Sequence, residues 1–268
     1  MAKLKSLENK VVWITGASSG LGKALARECA LQGAQVVLTS RRYDELESVR
    51  VGLLKPEQHL SIAADITDEA QVRHAHEQVL ATKGRIDWLI NNAGLSQRAL
   101  IEETSMHTER AIMEVDYFSQ VFFTKTVLPT LLKQKSGRVV FISSVAGLLG
   151  TQYRATYSAA KAAIHMWANS LRAEVAKEGI EVSVVFPGFV KTNVSFNALN
   201  GEGKPQGHQD EAIENGLEAD VFAERVVESL MAGDEYIVVG GKKEQLGVLV
   251  SRLSPNLLYK MIRKMKVK

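Results

Sequence analysis

Short, nearly continuous apolar runs alternate along this chain with longer segments whose apolar residues recur every three or four positions. Seven such runs are rich in β-branched residues, and they begin near residues 11, 35, 59, 87, 138, 181 and 235. Strands covered on both faces read as continuous apolar runs, and the segments between them are long enough for crossover helices. The pattern predicts an α/β fold: a single-domain, Rossmann-type doubly wound sheet of about seven mostly parallel strands, with helices on both faces.

The length of the chain, 268 residues, suits one such domain followed by a short tail. Because α/β proteins of roughly 250 residues often form a single domain, we assign residues 1–241 to it and residues 242–268 to a basic, amphipathic tail. The first interruption of the pattern is a polar stretch at 197–216 that holds four glycines. Such a stretch is a surface loop or a mobile lid over a ligand, and we favour a lid near residues 190–218.

Composition excludes several classes of protein. With 46% hydrophobic and 24% charged residues, the chain is typical of a soluble globular domain. Neither a secretory signal nor a membrane-spanning run of about 20 apolar residues is expected. The single cysteine, Cys29, cannot form an intrachain disulfide, which agrees with a cytoplasmic location. No bound metal is expected, since a chain of this length buries enough surface to fold without one.

Positive charge is concentrated in the tail. The net charge is +3, yet residues 242–268 contain eight basic residues and one acidic residue. Nucleic acid is therefore not an expected partner, because phosphate binding needs a basic face on the body. Apolar residues of the tail have helical spacing, which is typical of a basic helix lying peripherally on an anionic membrane, of one packed on the body or of one at a dimer contact. We favour the packed helix.

A glycine-rich turn, TGASSGLG at residues 15–22, stands between the first predicted strand and the first predicted helix. This order forms a cradle for a pyrophosphate: Gly16 permits a tight turn, Gly20 removes a side chain from the path, and Gly22 lets the helix approach the strand. A plain strand-to-helix turn is the alternative, but the context favours nucleotide binding. The predicted cradle comprises Gly16, Ser18, Ser19, Gly20, Leu21 and Gly22.

The end of the second predicted strand indicates which dinucleotide is bound. Ser40, Arg41 and Arg42 stand where a carboxylate would normally accept a hydrogen bond from the ribose 2′-hydroxyl of NAD(H). A guanidinium instead pairs with the 2′-phosphate of NADP(H), so NADP(H) is preferred to NAD(H) as the predicted cofactor. Arg41 is favoured over Arg42 for this contact. The alternative is that both arginines are solvated surface charges.

The residues after the third predicted strand add an adenine contact. Asp65 can accept a hydrogen bond from the adenine amino group, and it could equally cap the helix that starts near Thr67. Both roles are compatible, and Asp65 and Ile66 are included among the predicted cofactor-binding residues.

Ser144, Tyr157 and Lys161 have the spacing of a carbonyl-reducing site. Tyr157 and Lys161 lie four positions apart and therefore share one helix face. Reduction of a carbonyl needs an acid that protonates the developing alkoxide, and tyrosine can be that acid, since a neighbouring ammonium favours its phenolate form. Ser144 would orient the substrate oxygen, and Lys161 would also hold the nicotinamide ribose. A tyrosine and a lysine at this spacing also occur on ordinary solvated helices, but their combination with Ser144 and the glycine turn favours catalysis.

Four motifs in order make the chain resemble the short-chain dehydrogenase/reductase family of about 250 residues. They are the glycine turn, NNAG at residues 91–94, the Ser144, Tyr157 and Lys161 set, and PG at residues 187–188. The tail and the segment TNVSFNALNGEG are similar to the dehydrogenase/reductase member 7 branch, some of whose members are membrane-associated. The resemblance implies a homodimer or homotetramer, formed through helices near 105–134 and 155–178. It also implies cofactor contacts at Asn92, Ala93, Gly94, Tyr157, Lys161, Pro187, Gly188, Val190 and Thr192.

One position departs from the family pattern. The family usually places an asparagine, which completes a catalytic tetrad, where this chain has Asp116. An aspartate has nearly the same shape and still accepts hydrogen bonds, but it lacks the amide donor and adds a charge near Lys161. We expect activity to be retained with a changed pH profile.

Together these residues predict an NADP(H)-dependent oxidoreductase that interconverts a carbonyl and a secondary alcohol. The alternatives are a non-catalytic NADP(H)-binding sensor and a membrane-associated scaffold. Apolar and aromatic residues of the variable loops indicate a small hydrophobic substrate, although each could equally belong to the core or to a loop. These substrate candidates are Ala146, Leu148, Gln152, Tyr153, Phe189, Phe196 and Leu199.

Overall fold

A computed structural model describes residues 6–263 and shows one seven-stranded sheet. Every pairing is parallel, and the spatial order of the strands is β3-β2-β1-β4-β5-β6-β7. The predicted doubly wound α/β fold is confirmed. The strands are β1 (Val11–Thr15), β2 (Gln35–Ser40), β3 (Leu60–Ala63), β4 (Trp88–Asn91), β5 (Gly137–Ile142), β6 (Ile180–Pro187) and β7 (Tyr236–Val239).

Ten α-helices connect or follow the strands within the described residues. They are α1 (Gly20–Leu31), α2 (Tyr43–Val51), α3 (Glu69–Lys83), α4 (Met106–Met113), α5 (Ser119–Gln134), α6 (Ala155–Glu174), α7 (Glu211–Glu214), α8 (Ala219–Ala232), α9 (Lys242–Leu253) and α10 (Pro255–Ile262). The predicted helix near 105–134 is divided, because a π-helical segment, Glu114–Phe118, joins α4 to α5. A short 3₁₀ turn, Val145–Gly147, follows β5.

Apolar residues cover both faces of the sheet, which explains the continuous apolar runs. Successive side chains of a strand point to opposite faces, so Val12 and Ile14 of β1 belong to one core and Val11 and Trp13 to the other. Residues of α1 and α8 complete the first core, and residues of α3, α5 and α6 complete the second. The two cores fix the sheet between two helical layers.

The strand order places a binding crevice at the carboxyl ends of the strands. β1 pairs with β2 on one side and with β4 on the other. The chain therefore leaves β1 and β4 in opposite directions, and a cleft opens between the loops that follow them, as in other doubly wound sheets. The loops after β1, β4, β5 and β6 all meet at this edge.

The segment predicted to be a lid is packed against the loop after β4. Leu199 forms an isolated bridge with Gln97, and the backbone N–H of Arg98 donates to the carbonyl of Leu199 at 2.8 Å. Ser195 and Ala198 are buried. The segment 190–218 thus lies closed over the carboxyl edge of the sheet.

The tail forms two helices that pack on the body as far as it is described. A Cβ built on Gly247 of α9 would lie 3.0 Å from Leu149, which follows β5, and Val248 joins the second core. Leu258 of α10 is also buried. No helix within residues 6–263 is both long and apolar enough to cross a bilayer. The residues of the tail after 263 lie outside the described part of the chain.

Candidate active site

The glycine turn after β1 forms an open cradle for an anion. Gly16 and Gly20 have φ values of 65° and 54°, which lie in the left-handed region that favours glycine. A Cβ on Gly22 would lie only 2.3 Å from the carbonyl oxygen of Gly16, so any larger residue would displace the turn. Ser19 precedes α1 in an extended conformation, and its side chain does not cap the helix. The first backbone N–H groups of α1 are therefore free of side-chain acceptors and suit a pyrophosphate.

The predicted NNAG motif supports this cradle from β4. The hydroxyl of Thr15 accepts hydrogen bonds from the backbone N–H groups of Asn92 at 3.0 Å and Ala93 at 3.1 Å. The Asn92 amide donates to the carbonyls of Thr15 at 2.9 Å and Gly16 at 3.2 Å. A Cβ on Gly16 would lie 2.8 Å from the Cα of Ala93. The loops after β1 and β4 are therefore held against each other by these hydrogen bonds.

The two arginines after β2 occupy different positions. The Nη2 of Arg42 donates to the hydroxyl of Ser18 at 3.3 Å, and the same nitrogen pairs with Glu45 at 2.8 Å. Arg42 therefore reaches the glycine turn. Arg41 is exposed and makes no ion pair or side-chain hydrogen bond with the described residues. Ser40 accepts a hydrogen bond from the backbone N–H of Arg42 at 3.3 Å.

The capping role considered for Asp65 is wrong. Helix α3 starts at Glu69 and is capped by Asp68, whose carboxylate accepts hydrogen bonds from the backbone N–H groups of Ala70 and Gln71. Asp65 instead closes a local turn by accepting from the backbone N–H of Thr67 at 3.0 Å. The sequence offers two aspartates three positions apart, and the helix uses the second. Ile66 is half-buried against the second core.

Strand β5 and helix α6 bring Ser144, Tyr157 and Lys161 together. The hydroxyl of Ser144 accepts a hydrogen bond from the backbone N–H of Ala146 at 3.0 Å. Ser143 points into the protein, where its hydroxyl donates to the carbonyl of Lys161 at 2.8 Å. The Nζ of Lys161 lies 5.7 Å from the centroid of the Tyr157 ring. The alternation of side chains along the strand thus turns Ser144 towards the cleft.

Lys161 and Asp116 form a buried, imperfectly matched pair. The Nζ of Lys161 donates to the carbonyl of Ile142 at 3.1 Å and lies 3.6 Å from Oδ2 of Asp116. Oδ1 of Asp116 accepts from the backbone N–H of Leu95 at 2.6 Å, whereas Oδ2 has no hydrogen-bond partner among the described residues. A Cβ on Gly94 would lie 3.0 Å from Oδ1 and 3.1 Å from Nζ, so the NNAG backbone covers the pair.

Burial dominates the electrostatics of Asp116. It raises the pKa of the carboxyl above its ordinary value, although Lys161 and the Leu95 N–H act in the opposite direction. Asp116 lies in the π-helical segment that interrupts the α4–α5 helix. Such segments often occur at functional sites. The sequence showed the unusual residue, but no local pattern predicted the change of helix type.

The segment after β6 reaches across to the glycine turn. Gly188 donates its backbone N–H to the carbonyl of Val239 at 2.8 Å, next to Pro187 at the end of the strand. Val190 is buried and bridges to Leu217. A Cβ on Gly20 would lie 3.5 Å from the side chain of Thr192. The segment after β6, which is predicted to contact the cofactor, therefore borders the predicted pyrophosphate cradle.

The structure separates the predicted substrate residues into different environments. Gln152 and Tyr153 line a cavity of about 400 Å³ that is open on one side, and its lining among residues 6–263 does not include Ser144 or Tyr157. That lining also contains Leu100, Ile101, Glu102, Thr151 and Ala155. Gln152 and Tyr153 stay predicted substrate residues.

The other substrate candidates differ in exposure. Leu148 is half-buried against the second core, and Leu199 is held by its backbone bridge to Gln97. The Phe196 side chain is exposed. Phe189 is half-buried and lies beneath the guanidinium of Arg154, whose Cζ is 5.9 Å from the ring centroid. Ala146 holds Ser144 through its backbone. Phe189 and Ala146 are the candidates that contact residues near the catalytic set.

Sequence reasoning missed a buried ionic cluster beside this set. Arg98, Arg154 and Asp210 come from the loop after β4, the start of α6 and the predicted lid. Arg98 and Asp210 are separated by 112 positions in the chain. No motif connects residues so far apart, although the position of Arg154 three residues before Tyr157 places it at the start of the catalytic helix.

The parallel sheet, the glycine cradle at its switch point and the Ser144, Tyr157 and Lys161 set define a dinucleotide-binding oxidoreductase class. The cradle and the uncapped start of α1 fit a nicotinamide dinucleotide. A sequence model described as short chain dehydrogenase matches residues 10–202. The chain belongs to the short-chain dehydrogenase/reductase family, in the branch of family member 7.

Individual relatives agree with this membership. The chain is 38% identical over 267 residues to "Dehydrogenase/reductase SDR family protein 7-like" of Drosophila melanogaster, covering 98% of this chain and 82% of that protein. An alcohol dehydrogenase from the archaeon Thermococcus sibiricus, solved with 5-hydroxy-NADP, superposes with a TM-score of 0.74 at 26% identity over 87% of this chain and 97% of the other. A dehydrogenase from Burkholderia phymatum, solved with NAD, has the same fold, with a TM-score of 0.82 at 23% identity over 99% of both chains.

Proposed function

We propose that the protein interconverts a carbonyl and a secondary alcohol with NADP(H) as its cofactor and Tyr157 as its general acid and base. Family membership makes the chain an oxidoreductase of carbonyls and alcohols that binds NAD(P). The observation that carries the finer proposal is the joint placement of Ser144, Tyr157 and Lys161 at the carboxyl edge of the sheet, next to the glycine cradle.

The arrangement assigns a task to each residue of the set. A bound nicotinamide supplies the hydride that adds to the carbonyl carbon. Tyr157 donates its phenolic proton to the carbonyl oxygen, and Lys161 stabilises the phenolate that remains. Because the Ser144 oxygen already accepts a hydrogen bond from the backbone of Ala146, its own O–H is free to donate to the substrate oxygen. The reverse steps oxidise the alcohol.

The preference for NADP(H) rests on positive charge near the ribose of the cofactor. Arg42 reaches the glycine turn, and Arg41 is exposed beside it. Two guanidiniums attract a 2′-phosphate, and no acidic side chain ends β2 to accept from a free 2′-hydroxyl. Glu45 already pairs with Arg42, so the phosphate would compete for one face of that guanidinium.

Steady-state turnover tests this function. Purified protein is assayed for consumption of NADPH and of NADH against aldehydes, ketones, quinones and ketosteroids. NADPH-selective turnover of apolar carbonyls is expected, since the loops around the set offer mostly apolar side chains. Tight NADPH binding with no turnover of any compound would instead favour the sensor, a role that the unusual Asp116 leaves open.

The quaternary structure and the tail carry separate proposals. The helices predicted for a homodimer or homotetramer expose large apolar residues, namely Phe118 beside α5 and Met166 on α6. Tail helices α9 and α10 likewise expose Leu253 and Leu257 beside basic residues. We therefore propose a cytoplasmic homo-oligomer whose tail contacts an anionic membrane peripherally. Co-sedimentation with anionic but not neutral vesicles at low salt is expected, and failure to sediment with either would contradict the membrane contact.

A further inference from the structure

The buried cluster of Arg98, Arg154 and Asp210 carries an unbalanced positive charge. All three side chains are nearly inaccessible to solvent, with exposed fractions of 3%, 6% and 3%. Oδ2 of Asp210 accepts hydrogen bonds from Nε of Arg98 at 2.6 Å and from Nη2 of Arg154 at 3.2 Å. One carboxylate therefore serves two guanidiniums. A buried charge without a counter-charge of its own is costly, so a further anion would stabilise the second guanidinium.

Arg98 needs no additional partner. Besides its bond to Asp210, its Nη1 donates to the hydroxyl of Ser96 at 2.8 Å and to the carbonyl of Gln97 at 2.6 Å. Asp210 is likewise engaged at its other oxygen, where Gln206 donates at 3.2 Å. A contact between the lid and the loop after β4 is thus complete with Arg98 alone. The role of Arg154 is not explained by closing the lid.

Arg154 retains unused donors. Among residues 6–263, the Arg154 side chain makes one hydrogen bond, from Nη2 to Asp210. Its Nε and Nη1 donate to no described residue. Neither nitrogen is both sealed from solvent and without a hydrogen-bond partner among these residues. Burial and Arg98 lower the pKa of Arg154 to about 10, although Asp210 and Tyr157 act in the opposite direction. The guanidinium is therefore charged at neutral pH and can accept an anionic partner.

Arg154 lies near Tyr157 in the chain and interacts with the ring of Phe189. The residue precedes α6 directly, three positions before Tyr157, and its guanidinium lies over the ring of Phe189. Phe189 follows the PG motif, so it lies within the predicted cofactor-contacting segment and directly before the predicted lid. The planar, forked guanidinium matches a carboxylate with two parallel hydrogen bonds. An apolar ring on one side and a guanidinium with two unused donors on the other suit a ligand that is apolar with one acidic end.

We propose that Arg154 binds a carboxylate of the substrate, so that the preferred substrates are carbonyl compounds or secondary alcohols whose apolar body carries an acidic group. This inference rests on the proposed function and narrows its substrate class. It leaves the chemical step unchanged, because the carboxylate lies away from the carbonyl that Tyr157 protonates.

A series of phenyl keto acids of increasing chain length, each compared with its methyl ester, tests the proposal. The unaltered protein should reduce the acid of best length with a kcat/KM about 100-fold above that of its ester, a factor typical of a buried charge-assisted pair. Arg154→Gln should bring this ratio close to one, and Arg154→Lys should retain part of it. Arg85→Gln is the matched control, since Arg85 pairs with Asp87 at the opposite end of the sheet. It should leave the ratio unchanged.

Two further measurements separate the possible failures. The Kd of NADPH should change less than threefold in Arg154→Gln, and a loss as large as the loss for the acid would overturn the proposal by making Arg154 a cofactor residue. If Arg154→Gln does not fold, thermal protection of the unaltered NADP⁺ complex by phenylalkanoates is compared with that by the matching amides. Equal protection would overturn the proposal.

These experiments distinguish a failure of the carboxylate inference from a failure of the proposed function. Reduction of acids and esters at equal kcat/KM, with no effect of Arg154→Gln on the ratio, would reject the carboxylate and leave the oxidoreductase intact. Absence of NADPH- or NADH-dependent turnover of every carbonyl compound would reject the proposed function and this inference with it.

Discussion

The two ends of the parallel sheet differ in how completely their buried charged side chains are hydrogen-bonded. At the amino-terminal end, the buried carboxylate of Asp87 accepts hydrogen bonds from Lys10, from Arg85 and from the backbone N–H of Val11. At the carboxyl-terminal end, and counting only partners within residues 6–263, Oδ2 of Asp116 has no hydrogen-bond partner and Arg154 leaves two nitrogens unused. Satisfied polar groups stabilise a fold, whereas unsatisfied ones mark places where a ligand completes the structure.

The difference is a tendency with exceptions. Arg138 is the second residue of β5, at the amino-terminal end of the sheet. Its Nε lacks a partner among the described residues, although the guanidinium pairs with Glu181 and lies 5.5 Å from the Trp88 ring centroid. Burial lowers its pKa to about 10, with Glu235 and Asp234 opposing this change. Even there Arg138 has the carboxylate of Glu181 as a partner, whereas Arg98 and Arg154 at the other end share the single carboxylate of Asp210.

The largest effect is expected from closing the cradle at the carboxyl-terminal end. In Gly22→Ala the new Cβ would overlap the Gly16 carbonyl, so the turn must move and NADPH should bind about 100-fold more weakly. Titration by protein fluorescence measures the Kd. Gly150→Ala is the control, because a Cβ on Gly150 meets nothing within 4 Å. Equal NADPH affinities for the two variants would contradict the cradle.

The amino-terminal end should affect stability instead. Asp87→Asn removes the charge that Arg85 and Lys10 share, and both of these partners are partly exposed. The free energy of unfolding should fall by about 2 kcal/mol, as measured by urea denaturation. The Kd of NADPH for the folded protein should stay within a factor of two. A variant that lost cofactor affinity but not stability would reverse the comparison between the two ends.

A smaller effect on cofactor affinity is expected when either arginine after β2 is replaced. Arg41→Ala and Arg42→Ala are each titrated with NADPH and with NADH. The variant that removes the phosphate partner should weaken NADPH binding about 10-fold and NADH binding much less. We expect both variants to show this selectivity, since Arg41 is exposed without an ion pair to the described residues and Arg42 contacts the turn. Equal losses for both cofactors would show that neither arginine reads the 2′-phosphate.

The smallest effect concerns the pH dependence of stability at Asp116. Burial raises its pKa in the folded state, so the folded protein holds this proton to a higher pH than the unfolded chain does. Stability is therefore lost as the pH rises from the unfolded pKa through the folded one. Asp116→Asn removes this loss of stability. When thermal unfolding is measured at stepwise increasing pH, the melting temperature of the variant should rise relative to that of the unaltered protein. A constant difference across pH would mean that Asp116 does not titrate as described.

Local patterns were sufficient for the fold and for the tight glycine turn after β1. Continuous apolar runs identified all seven strands, and glycine positions identified the cradle, because both follow from contacts between residues close in the chain. The choice of Asp68 over Asp65 as helix cap was not readable, since either residue has the required side chain. The division of the long helix at Asp116 also had no local signal.

Long-range packing explains what the sequence did not reveal about the substrate side. Gln152 and Tyr153 follow Ser144 closely in the chain, and they line a cavity whose lining among residues 6–263 does not include Ser144 or Tyr157. Arg98, Arg154 and Asp210 meet only because the lid folds back on the loop after β4. Their grouping depends on three distant segments, and single-residue patterns do not encode such a meeting.

The most direct test of the central claim compares Tyr157→Phe with the unaltered protein at saturating NADPH. The phenyl ring keeps the packing but removes the phenolic proton, so turnover of the best carbonyl substrate should fall by about 10³-fold or more while the Kd of NADPH changes little. Activity within a factor of ten of the unaltered protein, at unchanged NADPH affinity, would contradict Tyr157 as the proton donor.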